Sequence, residues 1–255
     1  MRIKPFLLTL LAASALSTNA AHANFIKNGN FEETTNGGNK QLAGGTSTKE
    51  KDRTTLTHWE SGYGTDGRYN FVLNGDIANT DKSAIWLKDK YPRVNGRDGM
   101  SNGYSASPTG GNFFASDWMY FPGPLKQQVN GLTVGDKYTL TFDFALAQQA
   151  IEKGPNNNNY WEVGFGGVKQ KSELLSIVDS GFSGWKSATM TFTATSASDW
   201  LSFLVHGSGA GAPPFMLLDN VALNAEVPEP ATLGMLLGGL GLMGFTARRR
   251  NRGQA

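Results

Sequence analysis

Residues 137–146 alternate without a break: Tyr138, Leu140, Phe142, Phe144 and Leu146 fall on one side, and Lys137, Thr139, Thr141, Asp143 and Ala145 on the other. A period of two residues builds an extended strand with one apolar and one mostly polar face, and a helix cannot satisfy it. The pattern returns in Ala188, Met190 and Phe192 against Ser187, Thr189, Thr191 and Thr193, in Trp161, Val163 and Phe165, in Leu201, Phe203 and Val205, and in the run from Phe215 to Leu223. Gly166-Gly167 directly after Phe165 suits the positive φ of a two-residue hairpin turn, so the chain is predicted to return through Val168 to Val178. Runs with apolar residues at three-and-four spacing, free of glycine or β-branched interruption, are nearly absent. With 32 glycines and many Asn, Asp, Ser and Thr residues between the runs, the sequence predicts an all-β antiparallel β-sandwich or jelly roll. Thr34 to Thr55 and Gln148 to Asn159 read as long polar loops, open either to a ligand or to simple insertion.

The two ends are of another kind. Met1-Arg2-Ile3-Lys4 is basic, Phe6 to Leu16 is apolar and Ala21-His22-Ala23 is an A-x-A cleavage site. Together residues 1–23 read as a secretory signal peptide, handed to the Sec export machinery and removed by signal peptidase to leave Asn24 first. At the other end Val227-Pro228-Glu229-Pro230 precedes an almost uncharged run, Ala231 to Ala247, and then Arg248-Arg249-Arg250-Asn251-Arg252. Pro228 and Pro230 hold the approach extended. A helix over 231–247 spans about 26 Å, enough for a transmembrane segment, and the arginines keep its end in the cytoplasm. The remaining residues, 24–227, make one domain.

The chain has 23 basic and 21 acidic side chains, net +2, but six of the basic ones belong to the ends. Residues 24–227 hold 17 basic against 20 acidic side chains, net −3, and nothing in that balance suits a nucleic acid partner. With no cysteine, neither a disulfide framework nor a Cys-ligated zinc site is available.

The C-terminal segment Val227-Pro228-Glu229-Pro230-Ala231-Thr232-Leu233-Gly234, with its Gly/Leu-rich helix and basic end, resembles the PEP-CTERM sorting signal of Gram-negative bacteria. The resemblance implies a partner, an exosortase that acts near Pro-Glu-Pro, and a product released or attached at the cell surface among exopolysaccharide. The membrane helix is then a temporary anchor, and residues 228–255 are the sorting signal.

The body carries a second resemblance. Asn24-Phe25-Ile26-Lys27-Asn28-Gly29-Asn30-Phe31-Glu32 looks like the opening strand of galactose-binding-like β-sandwiches, which include carbohydrate-binding modules. Met216-Leu217-Leu218-Asp219-Asn220-Val221-Ala222-Leu223 is similar to their closing strand, and Gln128 to Leu132 followed by Gly135 to Phe142 to their central strand pair. In many such modules the first and last strands hold a structural calcium ion. The resemblance implies Glu32 and Asp219 as its carboxylate ligands, with Asn220 where a second Asp usually falls; the alternative is that both are ordinary polar strand-end residues.

Sugar recognition uses aromatic faces for stacking and carboxylates or amides for hydroxyls. Trp118, Tyr120, Asp117 and Tyr160 are the glycan-binding candidates, with Trp86, Tyr91, Asn112 and Gln148 also near predicted turns, while Trp161, Trp185 and Trp200 start strands where burial is the default. An enzyme needs a catalytic constellation, and none is found. His58 and His206 are far apart, no GxSxG elbow occurs, and Gly62 to Gly67 matches GxGxxG only as a turn ahead of the strand-like Arg68 to Leu73. Glu162 and Asp143 are two carboxylates whose spacing along the chain settles no geometry. The expectation is an exported surface or matrix protein binding exopolysaccharide in a biofilm, with a purely structural matrix protein or a divergent glycan hydrolase as alternatives.

Overall fold

The computed structural model describes residues 24–43, 53–62, 69–80, 85, 87, 103–120, 122–149, 152–211 and 214–226. The signal peptide, Trp86, Tyr91, most of the 62–67 turn, Pro228, Glu229, Pro230, the 231–247 helix and Arg248, Arg249 and Arg250 lie outside them. Among the described residues the strands are β1 Lys40–Leu42, β2 Arg53–Thr54, β3 Glu60–Ser61, β4 Asn70–Asn74, β5 Asn112–Asp117, β6 Leu125–Asn130 and β7 Lys137–Gln148. They continue as β8 Asn156–Phe165, β9 Val168–Lys171, β10 Leu175–Ile177, β11 Lys186–Thr193, β12 Ser198–Gly209 and β13 Pro214–Ala225. No helix among them is long and apolar enough to cross a membrane.

The strands form two sheets. One runs β11-β7-β13-β5-β4-β1-β2 and the other β10-β8-β12-β6-β3, with β9 paired to β8. Every pairing is antiparallel except β1 with β2. The sheets face each other through the aromatic side chains of the predicted alternation. Phe142 of β7 meets Phe203 of β12 at 5.2 Å, edge to face, and Phe114 of β5 meets Trp161 of β8 at 5.9 Å. The Trp161 indole N–H also crosses the core to the carbonyl of Leu217, 3.1 Å away. The all-β sandwich is therefore as expected, and Gly166 and Gly167 turn the β8–β9 hairpin with φ of 62° and 74°.

Four local expectations are corrected. Residues 24–32 form no strand, because Asn28 and Phe31 take φ of 50° and 57°, which break an extended ladder. The segment still lies along β13: Phe25 N–H donates to Leu223 C=O and Val221 N–H to Gly29 C=O, each at 2.9 Å. The predicted 148–159 loop is shorter, since Asn156 to Asn159 begin β8 with Asn156 and Asn159 fully buried. Residues 34–55 include β1 and β2, which Leu42 and Thr54 tie to the interior. Finally, β6 and β7 resemble a strand pair in sequence but enter opposite sheets.

Candidate functional site

Once the central core forms, each sheet has an outer face to cover. On the seven-stranded sheet Phe71, Leu73, Phe113, Phe215 and Leu217 build a second buried cluster with Ile85 and Leu87, and Tyr69, Tyr104, Phe182 and Trp185 pack against it. This layer explains why β5, the end of β7 and the start of β13 are buried at every position, where alternation predicted a polar face. On the six-stranded sheet the alternation survives in β6 and β12, so its outer face stays open to solvent.

That open face carries an exposed indole. Register pairs Trp200 with Gln128, Ser202 with Lys126, and Lys126 in turn with Glu60. Phe25, Lys27, His58, Glu60, Gln128 and Trp200 line a groove of about 380 Å³ beside it. One wall is fixed by Gln127, whose amide accepts the Lys27 N–H at 2.9 Å and donates to the Lys27 carbonyl at 2.8 Å. Trp59 braces the same wall by donating its indole N–H to Asn28 C=O at 2.9 Å. Trp200 is 38% exposed, with Lys126 Nζ 4.5 Å from the ring centroid and 3.4 Å from Glu60 Oε2. The groove thus offers an aromatic surface ringed by amide, ammonium, imidazole and carboxylate groups, a set able to stack on a sugar ring and bond its hydroxyls.

Further along β8 and β12 a second aromatic group stands on the same face. Tyr160 stacks on His206 with 5.0 Å between centroids and 14° between planes, and Lys171 Nζ lies 4.8 Å over the Tyr160 ring. Glu162 pairs with Lys169 at 2.7 Å and stands 3.8 Å from His206 Nε2.

The sequence candidates separate accordingly. Tyr160 shares the open face with Trp200. Asp117 is 1% exposed and accepts the Met119 N–H at 2.7 Å; burial pushes its carboxyl up to about 6 against the lowering effect of backbone hydrogen bonds from Met119 and Tyr120. Trp118 is half-buried against the core, and Tyr120, 57% exposed, meets the Tyr69 ring at 5.1 Å. Asn112 donates to Phe31 C=O, while Gln148 is buried between Ser180 and Lys153. Asp143 is held in the seven-stranded sheet by Ser187 and Asn220, so it and Glu162 occupy different sheets. Of the strand-starting tryptophans Trp161 is fully buried, but Trp200 is not. Its exposure was legible in phase: Leu201, Phe203 and Val205 take the inward positions of β12, which leaves Trp200 on the outward set.

Glu32 and Asp219 both approach the segment 107–112. Asp219 accepts the hydroxyls of Ser107 and Thr109, and Glu32 accepts the backbone N–H of Asn112 at 2.5 Å. No group of three His, Cys, Asp or Glu side chains placed to hold a metal occurs among the described residues. A cation here would rest on two carboxylates with hydroxyl and backbone oxygens, a donor set of the hard type that calcium takes.

Beyond the last strand the sequence continues through Pro228-Glu229-Pro230, the apolar run and the arginine cluster, and a family model matches this stretch. Residues 226–250 are a PEP-CTERM protein-sorting motif. The PEP-CTERM motif marks the chain for export by way of a membrane-held intermediate. It begins just after the last described strand: Glu226 donates its N–H to Lys137 C=O at 2.8 Å and accepts the hydroxyls of Thr139 and Thr191 at 3.1 and 3.2 Å. A sequence search of curated proteins returns no match.

In structure the chain is similar to TmCBM61 in complex with β-1,4-galactotriose, at 17% identity and TM-score 0.40 over 80% of this chain and 99% of that one. It is also similar to a CBM4 structure, at 14% identity and TM-score 0.32 over 79% and 99% of the two chains. A third neighbour is the N-terminal cellulose-binding domain of Cellulomonas fimi β-1,4-glucanase C, at 18% identity and TM-score 0.29 over 46% and 79%. These neighbours are carbohydrate-binding β-sandwich domains.

Proposed function

We propose that this chain is an exosortase-processed protein of the cell surface or extracellular matrix whose sandwich binds polysaccharide on the outer face of the six-stranded sheet. The observation that carries the reading is the exposed Trp200 in a groove walled by Lys27, His58, Glu60 and Gln128. An indole left partly exposed on an open sheet face and surrounded by hydrogen-bonding groups combines the stacking surface and the polar partners that a sugar ring takes. The reading is binding rather than turnover: the groove offers stacking and hydrogen bonding, and Glu60, the one carboxylate among its described lining residues, is engaged by Lys126. Glu32 and Asp219 serve as the anchor for a structural calcium ion that ties the opening segment and the last strand to the 107–112 turn.

The test is retention of the full-length chain on a panel of immobilised polysaccharides, with Trp200→Ala beside Trp118→Ala. Loss of retention in Trp200→Ala and persistence in Trp118→Ala is the expected result. Retention by no polysaccharide, with an effect of the chain on biofilm cohesion alone, would overturn it in favour of a structural matrix protein.

A further inference from the structure

The exported body is net negative, yet its open sheet face is basic. The register turns Lys126, Lys169 and Lys171 onto that face, and Lys27 stands at the groove, against the carboxylates of Glu60 and Glu162. Those two are already engaged, Glu60 with Lys126 and Glu162 with Lys169. Lys27 and Lys171 have no acidic partner among the described residues.

The placement of two of these lysines is specific. Lys126 lies over Trp200 and Lys171 over Tyr160, at 4.5 and 4.8 Å from the ring centroids. Each aromatic ring on this face therefore carries an ammonium group where a sugar would stack. A neutral sugar that takes the ring displaces the lysine and offers it only uncharged hydroxyl acceptors, so a cation–π contact is exchanged for a weaker hydrogen bond. A sugar bearing a carboxylate takes the ring and pairs with the displaced ammonium in the same movement. The two rings also set a length. Trp200 and His206, on which Tyr160 stacks, are six residues apart on one strand, about 20 Å at the rise of a β-strand. A ligand that engages both is a polymer rather than a single sugar.

We infer that the polysaccharide is acidic: a chain of carboxylate-bearing sugars lies along β12, its rings on Trp200 and Tyr160 and its carboxylates on Lys126 and Lys171. This rests on the polysaccharide-binding reading above and names the class of glycan. Lys27 adds a third positive group at the groove end, and Glu60 holds Lys126 in place until the ligand arrives.

The experiment compares binding of oligogalacturonate with that of its fully methyl-esterified form, which keeps the sugar chain and removes its charge. The full-length chain in detergent is measured at low and high salt, as wild type, Lys126→Met, Lys171→Met and Trp200→Ala. The expected result is that the acid form binds about tenfold tighter or more at low salt and that the advantage shrinks at high salt. Each methionine variant should lower the preference by weakening the acid form more than the ester, and Trp200→Ala should weaken both forms. Equal or tighter binding of the ester by wild type, or a preference that survives both methionine variants, would overturn the acidic class and leave polysaccharide binding intact. Binding of neither form would overturn both readings. The salt comparison on wild type needs no variant, so the outcome does not depend on how any substitution folds.

Discussion

The Asp219 carboxylate in the last strand accepts the hydroxyl of Thr109 at 2.8 Å across 110 residues of chain, and Ser107 donates to the same oxygen. Glu32 holds the far end of that turn through the Asn112 N–H. If calcium joins these groups, the melting temperature is higher in calcium than in chelator, by a margin that grows as the free ion exceeds its dissociation constant. Glu32→Gln and Asp219→Asn should each erase the difference. Thermal unfolding monitored by tryptophan fluorescence checks this, and an identical melting temperature with and without chelator removes the ion from the account.

Asp117 gives the fold a pH dependence of unusual sign. Burial lifts its carboxyl from the ordinary 3.8 to about 6. Below about pH 4 the folded and unfolded chains both hold the proton; as pH rises from about 4 to about 6 the unfolded chain releases it first, so the fold loses stability, by about 3 kcal/mol at the upper end. In chelator, with no cation beside it, Asp219 is pushed to about 6 mainly by burial and adds to the same trend. Asp117→Asn keeps an acceptor for the Met119 N–H and removes one titration, so the fall in unfolding free energy over this window should shrink by about half. Denaturant midpoints at a series of pH values decide: a variant as pH-sensitive as the parent would clear Asp117 of the role.

Gly29 is the point where the opening segment passes beneath β13. A Cβ there would strike the backbone carbonyl of Val221 and come within 3.3 Å of Ile26, and backbone cannot swing aside as a side chain can. Gly29→Ala is therefore expected to cost about 3 kcal/mol, the upper end of ordinary overpacking. The neighbouring exposed Lys27→Ala should change stability by less than about 0.5 kcal/mol. Equal denaturation midpoints for the two variants would show that the segment does not dock as described.

The sorting motif starts at Glu226, the last of the described residues, which is bonded to the sandwich. Cleavage after it takes away none of the described strands. The secreted or surface form is expected to end near Pro228 by intact mass and to unfold at the same temperature as a full-length chain carrying a cleavage-blocking Pro230→Ala change. A surface form that still carries Arg248 to Arg250 would instead make the helix a permanent anchor.

Much of the sandwich was legible in the chain because alternation is a local code: Tyr138 to Leu146, Ala188 to Phe192 and Leu201 to Val205 each write a strand and its inner face within ten residues. The sorting address was equally local, a contiguous Pro-Glu-Pro, apolar run and arginine cluster. What no local pattern encodes is which outer face is covered. Ala145 and Ala147 sit on the polar phase of β7 yet are buried, because Phe71, Phe113 and Phe215 from other strands and the 179–185 segment close over them. That closure leaves the six-stranded sheet as the open surface, and the outward phase of Trp200 on β12 then makes it the exposed ring of the groove. Lys27, His58, Glu60, Lys126 and Trp200 come from segments up to 173 residues apart in the numbering, and only their assembly into one sheet face gives them a shared ligand. Secondary structure and destination follow from neighbours in sequence, while a binding surface is a property of neighbours in space, decided when packing buries one face and leaves the other to solvent.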